Sequence, residues 1–134
     1  MRKLTSLILS LLLVACLCGC NEQQRQEVKL VEADNIKCVS VTSLPKGYEY
    51  SFDGDDAKAV ADYLLRLNLI ADFKENPDEY VGMTWVVSLE YENADTTTVY
   101  HAANMFIRTE NGPWYQMVYE EANRFGTLLN ELND

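Results

Sequence analysis

The sequence predicts an α+β domain: a mainly antiparallel sheet, in the order β-β-α-β-β-β-β-α, with two helices packed on one face. Three observations carry this reading. From Met83 to Tyr91 every second residue is large and apolar, the period of a strand with one packed face. From Ala57 to Leu65 the apolar residues recur at helical spacing. The strand signals after residue 83 are separated by turns of hairpin length, which join antiparallel neighbours and leave helices to form a second layer.

Each element follows in order. Ile36 to Val41 is rich in β-branched residues, and Tyr48 to Phe52 alternates aromatic and polar side chains. Pro45-Lys46-Gly47 between them supplies a turn, because Pro presets φ and Gly accepts positive φ. Asp53-Gly54-Asp55-Asp56 opens the first helix, with Asp53 or Asp55 expected to cap it. Ala57, Val60, Ala61, Leu64 and Leu65 form its buried stripe, and it is expected to end near Asn68 to Ile70. An acidic loop, Asp72 to Glu79, precedes the long strand 83–91. Asn93-Ala94-Asp95 turns the chain into Thr96 to His101, and Ala102-Ala103-Asn104 reads as a bend or bulge. Met105 to Thr109 is the next strand, Asn111-Gly112 a hairpin turn, and Trp114 to Val118 the last strand. One helix is expected over residues 120–133, with Ala122, Phe125, Leu129 and Leu132 on its apolar side.

The first residues obey different rules. Met1-Arg2-Lys3 is basic, and Leu7 to Cys18 is apolar except for Ser10. That run is shorter than the roughly 20 residues a membrane-spanning helix needs and fits the core of a secretory signal. It ends in Leu17-Cys18-Gly19-Cys20, which resembles the lipobox of bacterial lipoproteins. The resemblance implies a signal peptide over residues 1–19, a lipidated Cys20 as the mature N-terminus and a palmitate-type anchor on the outer face of the cell membrane. Cys18 departs from the usual Ala or Ser. Leu13-Val14-Ala15-Cys16 is a competing box, so Cys16 is the alternative. Cys20 is preferred because polar sequence starts immediately after it. Residues 20–27 then read as a lipidated cysteine with a flexible tether, and 28–134 as one extracytoplasmic domain. The domain's overall pattern resembles small lipoproteins of Firmicutes, a likeness that brings no activity with it.

Charge narrows the partners. The chain has 11 basic against 21 acidic side chains, a formal net charge of −10. Loss of Arg2 and Lys3 with the signal leaves 9 basic side chains and a net charge of −12. Nucleic acid needs a basic footprint, so it is excluded as a partner. In the mature chain Cys38 is the one remaining thiol, expected to be buried and inert in its apolar strand.

No motif carries catalysis, a cofactor or a metal. Asp53-Gly54-Asp55-Asp56 lacks the alternating ligands and late Glu of a calcium loop. Asp72, Glu75, Asp78 and Glu79 read as a solvated acidic loop. His101 is the single histidine, and nothing in the spacing of Ser88 or Asp95 selects them as its partners in a triad.

The aromatic residues carry the functional reading. If Trp85 and Tyr91 face the core, alternation turns Met105, Ile107, Tyr115 and Met117 inward. The other face then collects Tyr100, Phe106, Arg108, Trp114 and Gln116, the composition of a binding surface. A register shift near Ala102-Ala103 would invert that choice. The expectation is a non-enzymatic, lipid-anchored module that binds an envelope protein, peptide or glycan; the alternative is an accessory structural or regulatory subunit of a membrane complex, with a hydrolase as the third class. On this reading Cys20→Ser abolishes incorporation of a fatty-acid analogue and Cys16→Ser leaves it intact. Loss of label with Cys16→Ser alone would move the mature start to Cys16.

Overall fold

A computed structural model describes residues 25–26 and 28–134. Both candidate lipidation cysteines, Cys16 and Cys20, lie outside the described residues. The strands are β1 (Arg25–Gln26), β2 (Ile36–Leu44), β3 (Glu49–Asp53), β4 (Leu69–Ile70), β5 (Thr84–Tyr91), β6 (Thr96–Ala102), β7 (Phe106–Thr109) and β8 (Tyr115–Met117). The helices are α1 (Gly54–Arg66), α2 (Tyr119–Ala122) and α3 (Phe125–Asn133). All eight strands join one antiparallel sheet in the order β1-β4-β8-β7-β6-β5-β2-β3. The expected α+β class holds. Among the described residues no helix is long and apolar enough to cross a membrane.

Register decides what each face presents. Trp85, Val87 and Leu89 on β5 stand opposite His101, Val99 and Thr97 on β6. Ile107 stands between His101 and Tyr115, while Val41 and Val39 stand opposite Val87 and Leu89. This face meets Ala57, Val60, Ala61 and Leu64 of α1 and Phe125 and Leu129 of α3, all buried. Burying each of the larger side chains contributes about 1.5–3 kcal/mol. Leu30 and Val31 join the same core, so the segment leading into β2 packs on the helix side.

The turn after β6 keeps the face assignment. Residues 103–105 form a tight hairpin, with Ala103 and Asn104 at φ 53° and 54° and Met105 N–H donating to the Ala102 carbonyl. The chain reverses where a bend was expected. Since Ala102 pairs with Phe106 and Tyr100 with Arg108, the even-numbered residues stay together on the face away from the helices. Gly82 lies against this turn: a Cβ there would stand 3.0 Å from the Ala103 Cβ.

Several expectations are corrected. Phe106 is on the predicted face but fully buried, because Phe73 and Tyr80 of the 71–83 segment close over it at 5.5 and 5.0 Å between ring centroids. Helix α1 stops at Arg66, since Leu67 and Leu69 alternate into the core and Leu69–Ile70 pairs with β8 as strand β4. Asp53 occupies the N-cap position without a side-chain capping bond. The C-terminal helix is broken between α2 and α3. Its Glu121 and Ala122 carbonyls accept from the Tyr63 hydroxyl at 3.2 Å, an insertion into the helical hydrogen-bond ladder. Within the expected tether 20–27, Arg25–Gln26 pairs with β4. Cys38 is half-buried on the face away from the helices, not in the core.

Phe106→Ala should therefore cost about 3–5 kcal/mol in denaturant unfolding, the cost of emptying an aromatic from a packed site. Trp114→Ala, half-buried on the same face and stacked on Arg108, should cost less, about 1–2 kcal/mol. Equal losses would show that Trp114 is core as well.

Candidate functional site

The face away from the helices divides into a covered and an open part. Gln116 pairs with Phe106 and with Ile70, in the row that the 71–83 segment crosses, and is half-buried. The next row is uncovered but half-buried. There Tyr100 and Arg108 are direct cross-strand partners, and Trp114 immediately precedes Tyr115, the partner of Ile107. That places Trp114 beside Arg108 on the side away from Tyr100.

The guanidinium lies between two rings. Its central carbon is 4.7 Å from the Trp114 centroid and 5.4 Å from that of Tyr100. Each such contact is worth about 0.5–1 kcal/mol at a partly exposed site. The Arg108 Nε is buried without a hydrogen-bond partner. Among the described residues Arg108 forms no ion pair; elsewhere on this face Glu90 pairs with Lys37 at 2.6 Å and Glu49 with Lys46 at 3.0 Å. Hydrogen bonding to Lys37 holds the Glu90 carboxyl below its usual range. Next to Glu90, burial and the neighbouring carboxylate push the Cys38 thiol up, so it stays protonated.

A second feature of this face escaped the sequence reading. Ser51, Ser40, Ser88 and Thr98 stand in one row across β3, β2, β5 and β6. The neighbouring row runs Glu49, Thr42, Val86, Tyr100 and Arg108. The signal was present as polar residues alternating with Val39, Val41, Phe52, Leu89 and Val99. Hydroxyls, aromatic rings and a guanidinium without an ion pair among the described residues can meet a ligand that is polar, extended and anionic.

His101 lies on the other side of the sheet, fully buried. Its Nε2 is 3.1 Å from the Tyr63 hydroxyl, and Phe125 stacks on its ring at 4.9 Å. The His101 Nδ1 has no hydrogen-bond partner. Burial pushes His101 down to about 4 and raises Tyr63 above the ordinary tyrosine range. Ser88 lies on the opposite face, and Asp95 is in the turn at the far end of β6, bonded to Asn93. The sequence residues considered for a triad are thus not brought together. Among the described residues no three His, Cys, Asp or Glu side chains gather as metal ligands.

Comparison with protein-family models, curated proteins and solved structures finds nothing that matches the chain.

The buried histidine gives a pH dependence. The unfolded chain takes up a proton near 6.5, while the folded one resists until about 4. Stability is complete above the unfolded value and falls as pH drops through that window, by up to about 3 kcal/mol. His101→Phe keeps the stack on Phe125, so its unfolding free energy should vary less between pH 7 and 4.5. Parallel pH profiles for the two proteins would refute this assignment.

Proposed function

We propose that this chain is a lipid-anchored binding module on the outer face of the cell membrane, and that it takes an anionic envelope glycan on its open sheet face. The observation that carries the reading is Arg108, clamped between Tyr100 and Trp114 with no ion pair among the described residues. A guanidinium already oriented by two rings loses little freedom when a carboxylate or phosphate docks on it. The hydroxyl row beside it suits the alternating donors and acceptors of sugar rings. The lipobox supports anchoring through Cys20.

A second reading has its own support. Leu44, Tyr80, Val81 and Met83 are exposed where β2 ends and β5 begins, with Val81 fully so. An apolar patch of this kind fits an accessory subunit held in a membrane complex.

The test is calorimetric titration of the chain with a uronic-acid oligosaccharide and with its carboxyl-reduced counterpart. The acidic form should bind about tenfold more tightly or better, as expected for a charge-assisted contact. Arg108→Gln should erase that preference, at a cost in stability of about 1–2 kcal/mol from the two lost ring contacts. Equal binding of the two sugars, or an unchanged preference in Arg108→Gln, would sink the glycan reading and favour the accessory-subunit one.

A further inference from the structure

On the helix side, away from the open face, a groove of about 630 Å³ runs between α1 and the α2–α3 segment. Its size lies in the range of small-ligand sites. Tyr63 and Leu128 form its middle; Arg66, Arg124, Asp62 and Glu131 line it as well. The charges are not mixed at random. The C-terminal end of α1 is fixed against α2, since Asn68 donates from its backbone N–H (2.9 Å) and its side-chain amide (2.5 Å) to the Glu121 carboxylate. Arg66 and Arg124 belong to that end. Asp62 lies one turn back along α1 and Glu131 two turns on from Arg124, so both carboxylates lead away from it. Glu121 also lines the groove at the arginine end, where its carboxylate accepts both hydrogen bonds from Asn68 and its charge offsets one of the two guanidinium charges. Among the described residues Arg66, Arg124, Asp62 and Glu131 form no ion pair.

We propose that this groove binds a short zwitterionic peptide, with its C-terminal carboxylate between Arg66 and Arg124 and its N-terminal ammonium toward Asp62 and Glu131. The helical rise of about 1.5 Å per residue puts the acidic positions roughly 6 Å (Asp62) and 10 Å (Glu131) from the arginine end. An extended chain covers about 3.3–3.6 Å per residue, so two or three residues span that interval. A free amino acid is too short to reach both ends, and a simple anion would meet the carboxylates as repulsion. The peptide's side chains would lie on the ring of Tyr63 and on Leu128, and the two arginines offer planar forks that match a carboxylate.

The probe is tri-alanine, titrated calorimetrically into the full-length chain in detergent, beside N-acetyl-tri-alanine, tri-alanine amide and sodium acetate. Tri-alanine should bind saturably with one site, and capping either end should weaken it about tenfold or more, the value of a charge-assisted contact. Arg124→Gln should weaken tri-alanine similarly and no longer distinguish it from its amide; Asp62→Asn should no longer distinguish it from the acetylated form. Both positions border solvent, and circular dichroism melting checks that each variant folds. Should one fail to fold, the capped peptides on the unaltered chain still decide. No saturable binding of tri-alanine, equal binding of capped and uncapped peptides, or acetate competing as strongly as tri-alanine would overturn the proposal. None of these outcomes depends on Arg108, so this site and the open face stand or fall separately.

Discussion

The packing of Phe125 against His101 and Tyr63 is the joint on which both layers depend. Phe125 lies 4.9 Å from each ring and meets Trp85 edge-on at 6.0 Å. Through it α3 touches α1 and strands β5 and β6 at once. The Tyr63 hydroxyl adds directionality: it reaches His101 on the sheet and the two carbonyls that close α2. Burying a histidine with an unpartnered Nδ1 costs stability. A purely apolar ring in its place would pack, but it would leave α1 without a polar fix on the sheet. Because Trp85 and His101 are cross-strand partners, the joint also fixes which residues of β5 and β6 turn away from the helices. The groove between the helices and the open face behind the sheet are both set by this one cluster.

Much of this was legible in the sequence, for a local reason. Period-two alternation in 83–91 identifies the packed side, and each hairpin carries that parity onward, so Tyr100, Arg108 and Gln116 were assigned to one face without coordinates. What was not legible depends on groups far apart in the chain. Phe106 is covered by Phe73 and Tyr80, whose segment reads as an acidic loop because its charges outnumber its two rings. The break between α2 and α3 is made by Tyr63, on another helix. Strand β4 is two residues long, too short for any period to declare itself. Cys38 is the exception, since the residues two and four positions on are Ser40 and Thr42. That alternation already placed it on the polar row, and only its apolar flanks suggested the core.

The two faces offer opposite kinds of surface. The open face carries a row of hydroxyls, and its Arg108 guanidinium is held between two aromatic rings. The groove is concave, with side chains free to move and both signs of charge at separate ends. A row of this kind suits extended ligands that contribute many weak contacts, whereas a concavity of this volume suits a small molecule that it can largely enclose. Their separation by a full layer of sheet means that occupancy of one need not obstruct the other. The Phe125 joint is one of the contacts that link the two sides.

Acidic side chains outnumber basic ones 21 to 11, so carboxylates are never scarce. Among the described residues Lys29 pairs with Glu32, Lys37 with Glu90 and Lys46 with Glu49, while Lys58, Lys74, Arg66, Arg108 and Arg124 form no ion pair. Lack of a partner therefore does not set Arg66 and Arg124 apart from two of the lysines, and the case for the groove rests on its shape and on where its charges lie. Arg108 has a further distinction. A guanidinium is a rigid fork that stacks on rings, and Tyr100 and Trp114 hold its plane. On the reading proposed above, an arginine held by its own rings in so acidic a domain is oriented toward an anion that the domain does not itself supply.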